Sequence, residues 1–391
     1  MKMKKIEGID AMKEMKVPLC IPDITKEEVD IVSKVLLGGW LAHGKYNKKF
    51  EELFANTLGV ENAITMNSCT GALEIALKCS GISQEVIIPS MTFVATANAV
   101  INSGCTPVFC DVDLATRNLT ASSILEKITS KTEAVIVVHY AGQPCNMDEI
   151  TKLCQDKKIL LIEDSAQTFG AKWNGKQAGS YGIGCFSFFP TKNITTAEGG
   201  MFTTNDNNLA EKARAIISHG IVQSHKKSKP WNREALYAGH NYRMPNPLAA
   251  IGYIQLQKID ELNKKRIMLA KYYNESFSKK IDGFIKCPHV LDSAEHVYQM
   301  YTIEVSEVFR DDLVEYLNIC GIGASVHYDP PVHTQSLYKK YIKKDTVLVN
   351  TELLARTLIT LPMYPSMTTS QIDYIVKSIG TFILNNEIVG E

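Results

Sequence analysis

The chain has 391 residues and a mass of 43.5 kDa, which at about 150 residues per domain allows two to three domains and a full hydrophobic core. Forty-two Lys and Arg balance forty-two Asp and Glu, so no net field draws the chain to a nucleic-acid backbone or an anionic membrane, and any anion must be bound locally. With 45% apolar and 21% charged residues the composition excludes disorder, collagen and coiled coil.

The first sixteen residues are charged throughout and carry no apolar centre, which argues against a secretory signal or membrane anchor and predicts a cytoplasmic protein. Residues 25–37 and 46–58 read as amphipathic helices, with apolar residues at three- and four-residue steps, and 62–66 as a strand. A regular alternation follows: helix 70–79, strand 85–89, helix 94–102, strand 107–111, helix 121–128, strand 134–139, helix 147–156 and strand 159–163. Several of these strands are continuously apolar and their helical connections are long enough for crossovers, which predicts a mainly parallel sheet covered on both faces. The longest apolar runs stay far below the roughly 18 residues that span a bilayer.

Beyond Asp164 two strand-like segments, 184–189 and 200–204, precede a helix at 208–218, and a polar stretch over 219–240 breaks the rhythm. Asn246 as N-cap and Pro247 at the first position predict a long helix running past 262 and out of the main domain. A strand at 296–305, a helix at 310–319, a strand at 324–327 and two final helices complete the pattern. The expected organisation is an N-terminal segment, 1–24, a large domain, 25–260, and a smaller α/β domain, 261–391. The ten cysteines form no CxxC pair and read as reduced core thiols, and the nine histidines include no HExxH, so no metal site is expected.

In parallel sheets ligands gather at the carboxyl ends of strands. Asn67-Ser68-Cys69-Thr70-Gly71 joins one such end to a helix, offering backbone N–H groups and hydroxyls for a phosphate; the alternative is a plain N-cap by Ser68 or Thr70. Asp164, ending LLIED, is placed to pair with a cation or to cap the next segment. Lys192, in FSFFPTKNITTAEGG, stands between apolar strands, where desolvation favours the neutral amine, unless it snorkels to solvent. A phosphate cradle, a carboxylate and a lysine together are what pyridoxal phosphate requires: a Schiff-base amine, a partner for the pyridine nitrogen, and a phosphate site. Phe93 adds an aromatic face for the ring.

These residues lie in a set of motifs, NSCT at 67–70, PSMTFVATAN at 89–98, EDSAQ at 163–167, FSFFPTK at 186–192 with EGG at 198–200, and GHNYRM at 239–244. In that order they resemble the DegT/DnrJ/EryC1/StrS aminotransferases, over about residues 18–385. The resemblance implies an α/β protein of the fold type I class of pyridoxal phosphate enzymes, similar to aspartate aminotransferase. It implies that Lys192 holds the cofactor and shuttles the proton, that Asp164 pairs with the pyridine nitrogen, and that Gln167 lies near the phenolic oxygen. Cys69, Thr70 and Ser187 would bind the phosphate, beside Ser68 of the helix-start cradle read above, Phe93 would stack, and Asn241 would reach the phosphate of a neighbouring subunit in a homodimer with shared active sites. Arg243 becomes a candidate for the carboxylate of the amino donor, glutamate, while His327 and Tyr328 resemble sugar-side residues for a nucleotide-linked keto-sugar.

One departure is Ala42, where many members carry Thr, which leaves the substrate contacts of the loop at Ala42-His43 open. Members that deoxygenate sugars replace the lysine by His, whereas Lys192 is intact; a non-catalytic pyridoxal phosphate-binding regulator is the reading from another class. The cluster His225, Lys226, Lys227 and Lys229 fits a solvated loop better than a diphosphate site. Gly179, Gly182 and Gly184 are in the wrong order for a dinucleotide fingerprint and read as turn residues, and Tyr272 and Tyr273 read as packing residues.

Overall fold

The computed structural model describes residues 16–222, 231, 233–281, 283–342 and 346–387. The cluster His225, Lys226, Lys227 and Lys229 and most of the 1–24 segment lie outside the described residues.

Two helices, α1 (Lys26–Leu37) and α2 (Lys45–Leu58), lead into β1 (Asn62–Met66) and α3 (Cys69–Ser80). The alternation continues through β2 (Glu85–Pro89), α4 (Val94–Asn102), β3 (Thr106–Cys110), α5 (Ala121–Leu125), β4 (Thr132–Val138), α6 (Met147–Lys157) and β5 (Leu160–Asp164). Next come β6 (Ile183–Ser187), β7 (Gly200–Thr204), α7 (Asn207–Ile216), α8 (Asn246–Gln257) and α9 (Ile259–Lys280). The last elements are β8 (Tyr301–Glu304), α10 (Arg310–Ile319), α11 (Val349–Thr357), β9 (Leu358–Leu361) and α12 (Thr369–Glu387).

The main sheet has seven strands in the order β1-β7-β6-β5-β4-β2-β3, in which β7 runs antiparallel to both neighbours and the other strands run parallel. Alternate residues of its apolar strands feed opposite layers. Ile88, Ile136 and Ile162 join a cluster with α3, α4 and α7, whereas Ile87, Val135, Val137 and Leu161 join another with Met147, Ile150 and Cys154 of α6. A third cluster, around Phe50, Phe54, Phe186 and Phe188, seats α2 and α8, and a fourth gathers α9, α10, α12 and the β8–β9 pair. Tyr273 belongs to the fourth, fully buried and stacked on Tyr301 at 4.4 Å, and Tyr272 donates to Asp373 at 3.0 Å, so both serve packing and surface bonding. Seven of the ten cysteines are buried, the rest are half-buried, and all are free thiols.

The structure corrects the reading of several elements. The helix expected over 121–128 stops at Leu125. The helix read from Asn246 begins there, with Pro245 in the capping position; the Asn246 side chain turns away, accepting from Tyr46 N at 2.9 Å and donating to Trp40 O at 2.9 Å. The same helix does not run through, because Lys258, at φ −104° and ψ 0°, separates α8 from α9. Of 296–305 only Tyr301–Glu304 is strand, because Val297 and Met300 give their N–H groups to Gly142 and Ala141 instead of a ladder. The strand expected at 324–327 is reduced to one bridge, Ser325 with Thr360. The partner of β8 is Leu358–Leu361, a fully buried run of the kind favoured in strands, hidden in the sequence directly behind α11.

Among the described residues no helix is long and apolar enough to cross a membrane.

Candidate active site

A cavity of about 500 Å³ opens where β4, β5 and β6 end, with Val138, Asp164 and Ser187 from the three strand ends in its wall. That is a size suited to a small molecule. Its floor is set by α3. Ser68 caps this helix, its Oγ accepting from Gly71 N at 3.1 Å, and Ala72 N donates to Ser68 O at 3.2 Å. The capping reading of Ser68 therefore holds, a contact worth about 1 kcal/mol. The N–H groups of Cys69 and Thr70, the first two of the helix, have no acceptor among the described residues, and both residues line the cavity. Unpaired N–H groups at a helix start form an anion site. Gly200 makes the arrangement fit: a Cβ there would lie 2.4 Å from Ser68 C and 2.5 Å from Cys69 N, so only glycine lets β7 run this close to the helix start.

Asp164 lies at the end of β5 and is buried. Its Oδ2 accepts from Thr96 Oγ1 at 2.8 Å, and its Oδ1 from Ala166 N at 3.2 Å and Cys69 Sγ at 3.8 Å. Burial pushes the carboxyl up from its ordinary value, against the hydrogen bonds from Thr96 and Ala166 and the charge of Lys192, which favour the anion. Lys192 is held on the turn after β6, its N–H bonded to Phe189 O at 2.9 Å. Burial pulls its ammonium below the ordinary lysine range, and Asp164 opposes this.

On the far side Gln167 spends its amide on two partners: Oε1 accepts from Ala141 N at 2.6 Å, and Nε2 donates to Tyr328 Oη at 2.9 Å. Tyr328 faces Phe93, with ring centres 6.1 Å apart, and Phe93 is 59% exposed at the cavity mouth. His327 contacts Thr360 Oγ1 through Nδ1 at 2.8 Å, and its carbonyl accepts from Tyr140 Oη. Burial and the nearby Lys192 depress its imidazole to about 4.

The cavity thus brings together Ser68, Cys69, Thr70, Phe93, Asp164, Gln167, Ser187, Lys192, His327 and Tyr328. Asn241 and Arg243 do not line it. Asn241 is exposed and bridges Ser218, its Oδ1 accepting from Arg243 Nε and Nη2 at 3.3 Å each. Arg243 pairs through its backbone with Met66, so this segment runs along the free edge of β1. Ala42 and His43 also lie outside the cavity wall; His43 Nε2 is 3.6 Å from Glu51 Oε1.

Several residues escaped the sequence reading. Leu19 and Cys20 come from the segment before α1, and Met300, Leu361 and Met363 from around β8 and β9. Thr92 and Thr96 lie within a quoted motif, yet nothing in their spacing from Asp164 announces a contact. Glu163 receives four donors on the opposite face of the sheet: Gly179 N at 2.7 Å, Tyr181 N at 2.7 Å, Gly182 N at 2.8 Å and His139 Nε2 at 3.1 Å. His139 Nδ1 accepts from Cys145 N at 3.1 Å, which assigns the ring proton to Nε2. Gly179 and Gly182 serve this turn, whereas Gly184, also read as a turn residue, lies within β6, where a Cβ would stand 2.3 Å from Gly179 O. Gly179, at φ +88°, also has no room for a Cβ, which would lie 2.2 Å from the Phe186 ring.

Comparison with known proteins identifies the family of the chain. The chain matches the model of the DegT/DnrJ/EryC1/StrS aminotransferase family over residues 22–380. It is 35% identical over 379 residues to the spore coat polysaccharide biosynthesis protein SpsC of Bacillus subtilis, covering 94% of this chain and 97% of that one. Helicobacter pylori PseC, an aminotransferase involved in the biosynthesis of pseudoaminic acid, superposes with a TM-score of 0.87 at 30% identity, over 93% of this chain and 98% of that one. Spr1654 of Streptococcus pneumoniae, described as a sugar aminotransferase, superposes in its PLP-form with a TM-score of 0.87 at 26% identity, over 93% and 98% of the two chains, and is also known in a PMP-form. The chain belongs to the DegT/DnrJ/EryC1/StrS aminotransferase family and is a pyridoxal phosphate-dependent sugar aminotransferase of α/β fold. The donor set fits that cofactor: free N–H groups at the start of α3 for a phosphate, a buried carboxylate for a ring nitrogen and a desolvated amine for an aldehyde.

Proposed function

Starting from that membership, we propose that the enzyme takes its amino group from glutamate and gives it to a nucleotide-linked keto-sugar, working as a homodimer whose two sites each draw residues from both subunits. The observation that carries the reading is the meeting of Lys192 and Asp164 in one cavity with the unpaired N–H groups of Cys69 and Thr70.

When bound, pyridoxal phosphate supplies an aldehyde carbon and an electron-accepting ring, which let an amino group leave one carbon and join another. Lys192 Nζ is the amine that attaches the cofactor and, once released, the base that moves the proton at the donor's α carbon; its desolvation makes the neutral amine accessible. Asp164 would pair with the ring nitrogen and favour a proton there. Cys69 N, Thr70 N and the hydroxyls of Ser68, Thr70 and Ser187 would take the phosphate, Phe93 would cover the ring and Gln167 would serve the phenolic oxygen. His327, kept neutral, and Tyr328 orient the sugar.

Asn241 and Arg243 stand outside their own cavity, which supports their service to a second copy: Asn241 for the partner's phosphate and Arg243 for the carboxylate of glutamate. The residues assigned to the cofactor and those assigned to the sugar line one cavity of about 500 Å³, so donor and acceptor would meet the cofactor in turn at the same place.

Single-turnover measurements test the substrates. Glutamate alone should release one 2-oxoglutarate per site, after which a nucleotide-linked keto-sugar, but not the free sugar, should gain an amine by mass spectrometry. Release of a different oxo acid in preference, or equal reaction of the free sugar, overturns that part of the reading. Subunit sharing is tested by mixing Lys192→Ala with Asn241→Asp chains. A shared site recovers up to about half of the wild-type activity per hybrid dimer, because one of its two sites is then intact, whereas a site built within one chain recovers nothing.

A further inference from the structure

Asp164 is buried beside two thiols, those of Cys69 and Cys185, which burial and the nearby carboxylate keep protonated, so neither brings it a compensating positive charge. Lys192 and Tyr328 are the other titratable groups beside it, with His139 near it behind the sheet, bonded to Glu163. A carboxylate so placed holds a proton on a ring nitrogen only if it is itself the weaker base of the pair, and that condition needs donors aimed at its oxygens. It has three, and the shortest contact is from a side chain that no role above has used: Thr96 Oγ1, at 2.8 Å, against 3.2 Å for Ala166 N and 3.8 Å for Cys69 Sγ.

Thr96 lies in the first turn of α4, where a threonine hydroxyl ordinarily bonds back to its own helix. Here it reaches the end of β5 instead. A hydroxyl has one proton, so a Thr96 that donates to Asp164 must accept from its remaining neighbour, Thr92 Oγ1, at 2.8 Å. Both threonines are buried in the cavity wall. The result is a directed chain, Thr92 to Thr96 to Asp164 Oδ2, that ends on the carboxylate.

We propose that Thr96, braced by Thr92, is a positioning residue for amino transfer: its hydroxyl proton occupies Asp164 Oδ2 and so keeps that carboxylate an acceptor toward the ring nitrogen of the cofactor. The inference rests on the reading of Asp164 as the partner of that nitrogen. A hydrogen bond to a charged group of this kind shifts the sharing of the proton by about 10- to 100-fold toward the nitrogen.

The test loads the enzyme with pyridoxal phosphate labelled with 15N in the ring and reads the nitrogen's protonation by NMR across pH, beside the single-turnover rate with glutamate. Thr96→Val keeps the shape and removes the proton: the nitrogen signal should move toward the unprotonated position at neutral pH, with a loss of about tenfold or more in rate, and Thr96→Ser should restore both. Thr92→Val should move the signal the same way by less. A Thr96→Val signal matching wild type, while Asp164→Asn leaves the nitrogen unprotonated, overturns the inference and leaves the Asp164 reading standing. A nitrogen that stays protonated in Asp164→Asn overturns both. If Thr96→Val does not retain the cofactor, Thr92→Val decides alone, and an unmoved signal there overturns the relay.

Discussion

Glu163 and Asp164 are neighbours in the chain and leave β5 on opposite faces of the sheet. Each is a buried carboxylate, and the surroundings give them opposite duties. Glu163 is closed in: three backbone N–H groups and the His139 ring occupy both oxygens. Asp164 is left incomplete, with longer contacts on Oδ1 and one side toward the cavity. A carboxylate whose acceptor sites are all taken can only hold structure, whereas one with a vacant lone pair and a desolvated charge is ready to receive a ligand's proton.

Three measurements would break or sharpen this contrast, beginning with the largest effect. Asp164→Asn should leave the fold and cofactor retention in place while slowing single-turnover amino transfer by about 100- to 1000-fold, the loss typical of removing one charge-stabilising group. A loss below tenfold would place the work elsewhere. Glu163→Gln should do the reverse. An amide turned against four donors strands at least one of them, lowering stability in denaturant by about 2–4 kcal/mol, while amino transfer per folded molecule stays within about threefold. The smallest effect carries the sign of the difference. Because the Asp164 carboxyl is raised in the folded protein, the native state without cofactor binds its proton more tightly than the unfolded chain does. Stability then falls as pH rises from the ordinary aspartate value through the raised one, and above that window the ionised group is a cost. Asp164→Asn in the cofactor-free protein should therefore melt no lower than wild type at pH 7 and lose that part of the pH dependence. A lower melting temperature would show Asp164 to be structural like its neighbour.

Much of this was legible in the residues. The crossover rhythm gave the parallel core of the sheet, because fully buried strands announce themselves as unbroken apolar runs, and the strand ends located Asp164. Lys192 stood out by being polar between two such runs. What stayed hidden depends on contacts between distant segments. β9 is four residues with no turn signal separating it from α11, so its pairing with β8 decides its conformation. Thr96 meets Asp164 only because β2 and β5 flank β4, which brings the loops at their ends together. Asn241 and Arg243 were read from motif resemblance alone, and their own chain places them on a sheet edge.

The segment before α1 has a consequence for how the molecule is made. Val17 bonds to Gly321 and Gly323, and Leu19 O accepts from Met363 N, partners about 300 residues later in the chain. A few residues on, Asp23 O accepts from Gln255, and Glu27 and Glu28 pair with Lys258 at the joint of α8 and α9. Leu19 and Cys20, strung between these two anchorages, meet Leu361 and Met363 in the cavity wall. Loops this long close slowly against chain entropy, and at about 5–20 residues per second a ribosome delivers the first partner well before the last. All seven strands of the main sheet are encoded by residue 204, but the packing on its faces draws on Leu256, Val332 and Leu358, and the cavity wall on Leu361 and Met363. The two ends of the chain therefore close one wall together, and chains cut short before residue 361 should fail to retain the cofactor, as absorbance of the purified protein would show.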